Sequence, residues 1–245
     1  MYLSKAYLNT QNSQVIHNLG DVYELHRTLS TLFPNTTNKK SFRKKFQILY
    51  RIEELQDNRP PYLLIQSKTI PEWTKLLDKY PNYFKSTPKS KELKVLLNLL
   101  REGQTCIFRL KANPVKRPPP KRFGKGRYQG KTNRIPLQKE EELIKWLERK
   151  SITAGFKLKK FQTSNETSVY EVQIRNFPKA RITTPYRYQK ITGSKKQDIL
   201  SFHSVLFDGH LQIINIKEFK DTIINGIGPG KAFGFGLLSV YPLKK

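Results

Sequence analysis

Residues 225–243 read NGIGPGKAFGFGLLSVYPL. Five glycines, Gly226, Gly228, Gly230, Gly234 and Gly236, fall within eleven residues. Glycine tolerates positive φ and carries no Cβ, so such a run lets backbone approach backbone or phosphate closely. Its flanks decide what kind of turn it is. Residues 217–225 upstream read as a short helix, and FGLLSVY downstream reads as a strand. Helix, glycine turn, strand is the reverse of the order that dinucleotide sites require, and no Walker sequence is present. The run therefore predicts a tight connection into a last strand, in a chain of the α+β class.

Working back along the chain, the same alternation of element types recurs. Residues 2–8 alternate as a strand. Asp21 is a candidate cap for a helix through Phe33, because Val22, Leu25, Leu29, Leu32 and Phe33 fall on one face. Phe46, Ile48, Tyr50 and Ile52 alternate, and the turn DNRPP leads into YLLIQ, which reads as a hairpin. PEWTKLLDKY predicts a short helix opened by Pro71. KELKVLLNLL at 91–100 fits both a helix and a strand; Gly103 and the following CIFRLKA favour a second hairpin. EEELIKWLERK is a helix ending before Gly155, followed by strand-like runs at 156–162, 169–175, 199–207 and 210–214. Each half, roughly 1–140 and 151–245, is expected to form a small sheet with helices on one face. No internal repeat is visible by direct residue matching.

The chain has 245 residues, with 46 Lys or Arg against 19 Asp or Glu, a formal charge of +27. Like charge on that scale opposes compaction and points to a polyanionic partner. Hydrophobic residues at 37% and aromatics at 11% suffice for a packed core, which rules out a disordered basic tail. One cysteine, Cys106, excludes a disulfide framework or a cysteine-built zinc site, and reads as a small core residue. No apolar run is long enough for a bilayer span, and MYLSKAYLN lacks the apolar region of a leader. The expectation is a cytoplasmic protein with nucleic acid as its polyanion and no membrane partner. Charge is also unevenly placed. Eleven Lys or Arg and no acid lie between Glu102 and Glu140, around PVKRPPPKRFGKGRYQGKTNRIP, which reads as a loop without its own core. Seven more lie in the acid-free stretch between Glu171 and Asp198.

Two segments can carry chemistry. On the 21–33 helix, Tyr23, His26, Arg27 and Ser30 form a strip beside the apolar face. Imidazole moves protons near neutrality, guanidinium offsets charge developing on a phosphate oxygen, and a phenol donates a hydrogen bond. The same residues would also serve as an ordinary boundary pair. The other segment is the glycine run, where KAFGFG is similar to the first RNA-contacting motif of RNA-recognition modules. That motif needs a further helix and strand, whereas only ten residues follow Phe235. Metal chemistry has little support: His17, His26, His203 and His210 lack ligand spacing, and the acids are scattered.

Taken in order, several segments resemble the CasE (Cse3) endoribonucleases, CRISPR-associated proteins that process repeat RNA in type I-E systems. They are MYLSK, DVYELHRTLSTLFP, FRLKANPVK, RIPLQKEEELIKWLERK and GIGPGKAFGFGLLSVYPL. The family's glycine signature, Gly-h-Gly, five residues, Gly-h-Gly, with h hydrophobic, is matched by Gly226–Ile227–Gly228 and Gly234–Phe235–Gly236. The resemblance implies two tandem ferredoxin-like domains of the RNA-recognition type. The expected boundaries are an N-terminal domain over 1–140 with the catalytic helix and basic loop, a linker helix over 141–154, and a C-terminal domain over 155–245. It implies metal-independent cleavage at the base of the repeat hairpin without a cofactor, and retention of the guide RNA within the Cascade complex. His26 stands where the family's catalytic histidine stands, and Tyr23 where its partner tyrosine does. Expected RNA contacts are Arg27, Lys111, Lys116, Arg117, Lys157, Lys159, Lys160, Arg175, Arg181, Gly228, Gly230 and Lys231, with no metal ligand. RNA supplies its own nucleophile, the 2′-hydroxyl, so the protein has only to align it and handle two protons. The competing expectation is a non-catalytic structured-RNA-binding ribonucleoprotein subunit, in which Tyr23 and His26 are bystanders.

Overall fold

The structure is a computed structural model that describes residues 1–34, 45–54, 59–119, 122–123, 127–128, 134–164, 166–183 and 199–243. Part of the acid-free 103–139 loop and most of the 172–197 stretch lie outside the described residues.

The first sheet holds β1 (Tyr2–Tyr7), β2 (Leu49–Glu53), β3 (Tyr62–Ser67) and β4 (Lys89–Glu92). Its spatial order is β2-β3-β1-β4, antiparallel throughout. Three helices accompany it: α1 (Ser13–Gly20), α2 (Val22–Ser30) and α3 (Trp73–Lys79). Val15, Leu25, Leu29 and Leu76 bury their apolar faces with Ala6, Tyr50, Leu63 and Ile65 of the strands. That is the β-α-β-β-α-β order of a ferredoxin-like unit. Helix α1 was not anticipated. Its start is marked by Asn12, whose side-chain oxygen accepts from the Gln14 and Val15 amides.

The 91–100 segment resolves differently from the expected hairpin. Residues 89–92 are strand, and Lys94–Leu99 form a short helix, α4. Leu93 and Leu100 are buried, Leu96 and Leu97 partly so, while Val95 and Leu99 are exposed, so of the two apolar periods read there the helical one is the one that turns inward.

The second sheet is built from β5 (Thr105–Ala112), β10 (Phe156–Leu158), β13 (Val172–Thr183), β14 (Ile199–Ile213) and β15 (Leu238–Pro242). Its order is β10-β14-β5-β15, with β13 also paired to β14. Helices α5 (Glu140–Ile152) and α6 (Ile216–Asn225) cover one face. Their Leu143, Trp146, Leu147, Phe219 and Ile223 pack on Cys106, Phe108, Leu110, Val205 and Phe207. The β-α-β-β-α-β order repeats. The expected boundary near 140 does not match the sheets: Thr105–Ala112 is central in the second sheet, between β14 and β15. The helix expected as a linker is that sheet's first covering helix. The basic stretch after β5 is therefore an excursion inside the second unit, carrying the two-residue strands β6 (Val115–Lys116), β7 (Arg122–Phe123), β8 (Arg127–Tyr128) and β9 (Ile135–Pro136). A small hairpin, β11 (Lys160–Gln162) with β12 (Ser168–Tyr170), projects from the other end.

One further difference concerns β14. The runs 199–207 and 210–214 are a single strand that passes through Gly209. A Cβ there would lie 2.2 Å from the Glu171 carbonyl oxygen, so this glycine marks a close backbone approach and not a turn.

The sheets meet through β2. Leu49, Arg51 and Glu53 face the second sheet, while Tyr50 and Ile52 face the helices. Arg51 is 2% exposed and donates to the Leu237 carbonyl at 2.9 Å and to Ser239 Oγ at 2.9 Å. Gln66 Nε2 donates to the Ile223 carbonyl at 2.8 Å. Among the described residues no helix is long and apolar enough to cross a membrane.

Candidate active site

Helix α2 begins at Asp21, whose carboxylate accepts from the Tyr23 amide at 2.8 Å and the Glu24 amide at 3.4 Å. A carboxylate at that position also complements the helix dipole. Leu25, Thr28 and Leu29 are buried, which fixes the rotation of the helix and leaves Tyr23 and His26 partly exposed along its flank. Ser30 Oγ donates to the His26 carbonyl at 2.7 Å. Arg27 is more exposed and donates to both Glu24 carboxylate oxygens, at 2.9 and 3.0 Å. An exposed i,i+3 pair contributes little, so Arg27 can exchange that carboxylate for a phosphate at small cost.

The glycine run comes from the other sheet and reaches the same place. Gly226 ends α6 at φ 73°, Lys231–Phe233 form one 3-10 turn, and Gly236 at φ 88° leads into β15. The loop closes on itself through the Ile227 amide donating to the Gly236 carbonyl at 2.9 Å. The Gly236 amide donates to the Lys111 carbonyl at 2.8 Å, which ties the loop to β5. From the first unit, the Tyr50 hydroxyl donates to the Ala232 carbonyl at 3.0 Å. Burial raises the pKa of that phenol well above the usual tyrosine value, so it remains a donor. Thus held, Phe233 meets His26 edge to face, with ring centroids 6.1 Å apart. Phe202 of β14 stacks behind Phe233 at 5.0 Å and Phe235 at 5.8 Å. The helical strip and the glycine run, read separately in the sequence, converge at the seam between the sheets. An imidazole edged by an aromatic ring, next to backbone turned by glycines, suits proton transfer at a bound phosphodiester.

The remaining expected residues distribute around this point. Lys231 Nζ donates to the Asn225 carbonyl at 2.7 Å, where a cation also suits the helix end. Lys231, Gly228 and Arg117 line one open cleft. Gly230, at φ 81°, caps the 3-10 turn. Lys111 is largely buried at the seam, and burial lowers its pKa below the ordinary lysine value. Lys116 is paired with Glu142 at 2.7 Å. Arg175 is bound to Asp208 at 2.6 Å, on the far side of β14 from the helices. Arg181 lies in β13 opposite Ser201. Lys157, Lys159 and Lys160 are not brought to the strip. They sit by Leu211, nine residues along β14 from Phe202, about 30 Å at strand rise. Lys160 covers the Tyr170 ring at 4.3 Å. Cys106 is buried in the core, its thiol pushed up to about 11 by burial. Among the described residues, no three His, Cys, Asp or Glu side chains are grouped to hold a metal ion.

Sequence reasoning missed the aromatic cluster of Phe202, Phe233 and Phe235. A signal existed in KAFGFG, where two of the three stand beside glycines. Phe202 had none, because only the sheet register brings it there.

A family model described as CRISPR associated protein matches residues 1–242. The CRISPR-associated endoribonuclease Cse3 of Thermus thermophilus is 31% identical over 242 residues, covering 99% of this chain and 100% of that protein. The CRISPR system Cascade subunit CasE of Escherichia coli is 30% identical over 246 residues, again 99% and 100%. The structure of CRISPR endoribonuclease Cse3 bound to a 19-nucleotide RNA superposes with a TM-score of 0.73 at 30% identity, over 99% of this chain and 100% of that one. With a sequence match along nearly its whole length and the same paired ferredoxin-like architecture, this chain belongs to the CRISPR-associated protein family that includes CasE and Cse3.

Proposed function

We propose that this chain is an endoribonuclease that cuts CRISPR precursor RNA at the base of the repeat hairpin and keeps the guide RNA as a subunit of Cascade. The reading combines what the Thermus relative and the Escherichia relative are named for, on a chain that covers both fully. The observation that carries it is the meeting of His26 on α2 with Phe233 of the glycine turn, at a seam flanked by cations. The two units would divide between Leu99 and Thr105, and the protein would act in the cytoplasm.

In the proposed reaction the RNA 2′-hydroxyl attacks the adjacent phosphorus in line, and the P–O5′ bond breaks. The products are a 2′,3′-cyclic phosphate and a 5′-hydroxyl. One proton leaves the attacking hydroxyl and one reaches the departing oxygen. His26 takes or supplies one of them, Tyr23 orients or shares the transfer, and Arg27 offsets charge on the phosphate oxygens. The metal-independence of this route is part of the proposal, since the nucleophile belongs to the substrate.

The test is cleavage of a stem-loop repeat RNA in EDTA, followed on denaturing gels. The expected result is a single cut, absent in RNA with a deoxy sugar before the scissile phosphate. His26→Ala should lose roughly 10²–10⁴-fold in rate while still binding. Cleavage of the deoxy RNA, or dependence on added metal, would overturn the chemistry. Full activity of His26→Ala would overturn the site. Intact RNA after mixing with the unaltered protein would leave a ribonucleoprotein subunit that does not cut.

A further inference from the structure

The glycine turn has two sides. Phe233 faces His26, and the residues just before it, Gly226 to Pro229 with Lys231, form the wall of an open cleft. The opposite wall is the last turn of α5, with Arg149 and Lys150. The mouth is edged by Arg117 and Arg134, which flank the basic excursion. The cleft has a volume of about 590 Å³.

Its chemistry is one-sided. Five of its lining residues are cations, and no Asp or Glu lines it among the described residues. Arg117, Arg134, Arg149 and Lys150 form no ion pair among the described residues. The nearby Lys116 shows the contrast, since Glu142 neutralises it. Cations at the end of α5 alone would suit the helix dipole. Convergence of two further arginines from a different segment exceeds what the helix needs. Uncompensated cations brought together repel one another and are stabilised by a shared anion.

Size and position narrow the anion. The volume falls in the range of small-ligand pockets, too narrow to admit a duplex. The cleft and the His26 strip share one loop, in which Gly228 lines the cleft and Phe233, five residues on, meets His26. Gly228 has φ 79°, and a Cβ there would press on the Trp146 ring at 3.1 Å, so backbone is what lies exposed at that point.

We propose that this cleft binds the backbone phosphates of the unpaired RNA strand flanking the cut, with Arg149 and Lys150 on one side and Arg117, Arg134 and Lys231 on the other. The inference rests on the RNA reading above and adds a second binding element to it. A phosphate chain is common to the 5′ and 3′ flanks, and the experiment separates them.

The experiment measures binding by fluorescence anisotropy. Four RNAs carry a deoxy sugar that blocks cleavage: a stem-loop with both flanks, with the 5′ flank only, with the 3′ flank only, and with neither. The proteins are the unaltered chain, Arg149→Ala/Lys150→Ala, and Arg134→Ala. For the unaltered chain, removing one of the two flanks weakens binding roughly tenfold, as loss of a few charge-assisted contacts would. For the double variant the same removal costs less than threefold by the same reasoning. Arg134→Ala, altered in a separate segment, shows the same direction. Whichever flank couples to these residues is the one in the cleft. Equal losses for all three proteins on both truncations overturn the proposal. So does a variant defect that persists in full on the stem-loop without flanks, which would put duplex there. Thermal unfolding of each variant is compared first, and if the double variant is unfolded Arg134→Ala decides alone. If the unaltered chain binds none of the four RNAs, the RNA reading itself fails, an outcome distinct from flank-independent binding.

Discussion

At the scale of single residues, the site depends on side chains that never touch substrate. Tyr50 is one. Its ring is buried in the first core, and its hydroxyl crosses the seam to the Ala232 carbonyl in the loop that presents Phe233 to His26. Tyr50→Phe keeps the ring and removes the donor. The expected loss is about 1 kcal/mol, the usual net worth of one such hydrogen bond. A pH signature accompanies it. Burial raises the phenol's pKa above its ordinary 10.0, so the unfolded chain releases this proton first. The contribution is fully present below pH 10 and is lost as pH rises beyond it. Urea unfolding compared at pH 8 and above pH 10 should show a shallower alkaline decline in Tyr50→Phe. An identical decline in both proteins would show that this phenol ionises freely in the fold. Cleavage should fall as well, with RNA affinity little changed, because the hydroxyl positions the turn and does not contact phosphate.

Elements show where the sequence was readable and where it was not. Asp21 and the 3.6-residue spacing of Leu25 and Leu29 made α2 legible, and with it the strip of Tyr23 and His26. Of the first sheet, β1 and β2 were legible from alternation and β3 from the turn before it, whereas β4, KSKE with every residue exposed, carries no apolar pattern to read. Thr105–Ala112 was legible as a strand but not as a member of the second sheet, because alternation gives a face and not a partner. Register decides the partner: β14 pairs with this strand from Val205 to Gln212, a separation of about a hundred residues. The runs 199–207 and 210–214 were read apart for a related reason, since Gly209 between them serves a close approach to Glu171 inside one strand. The glycine run itself was legible as a turn, and its structure says which glycines are obligatory. Gly236 has φ 88°, and a Cβ there would sit 2.6 Å from the Ile227 carbonyl oxygen. Gly236→Ala therefore meets both a strained backbone and a clash with atoms that cannot rotate away. Roughly 1–3 kcal/mol of stability should be lost. Gly103→Ala is a useful comparison, because it has φ 75° and open space around it. It should cost less, and only Gly236→Ala should also slow cleavage. Equal costs at the two positions would mean that crowding at the loop is unimportant.

Over the whole molecule, two units with separate cores must hold one site at their seam, and charge does much of that work. A chain of alternating charges runs from the interior outward. Arg51 pairs with Glu53, Glu53 with Arg109 at 3.1 Å, Arg109 with Asp208 at 2.6 Å, and Asp208 with Arg175 at 2.6 Å. In a protein with 46 basic residues and 19 acidic ones, placing two acids here is a considerable commitment. Glu53 is the critical link, because Arg51 has almost no access to solvent. Glu53→Gln leaves that guanidinium without a counter-charge, and breaking a buried pair on one side typically costs about 3–5 kcal/mol. Replacing both partners, as in Arg51→Met/Glu53→Met, should recover part of the loss. Recovery stays incomplete because Arg51 also satisfies the Leu237 carbonyl and Ser239. Asp208 has the opposite logic. It is partly exposed and holds two arginines whose other natural partner is phosphate. Asp208→Asn should disturb neither core nor turn, and it leaves Arg175 more available to a polyanion while Arg109 keeps its pair with Glu53. If the open face of the second sheet carries RNA, this variant binds more tightly at low salt and depends more steeply on salt, by roughly 0.7–0.9 in log–log slope for each phosphate gained. An unchanged slope would remove Arg175 from the RNA surface and leave it as the outer end of the seam's ion-pair chain.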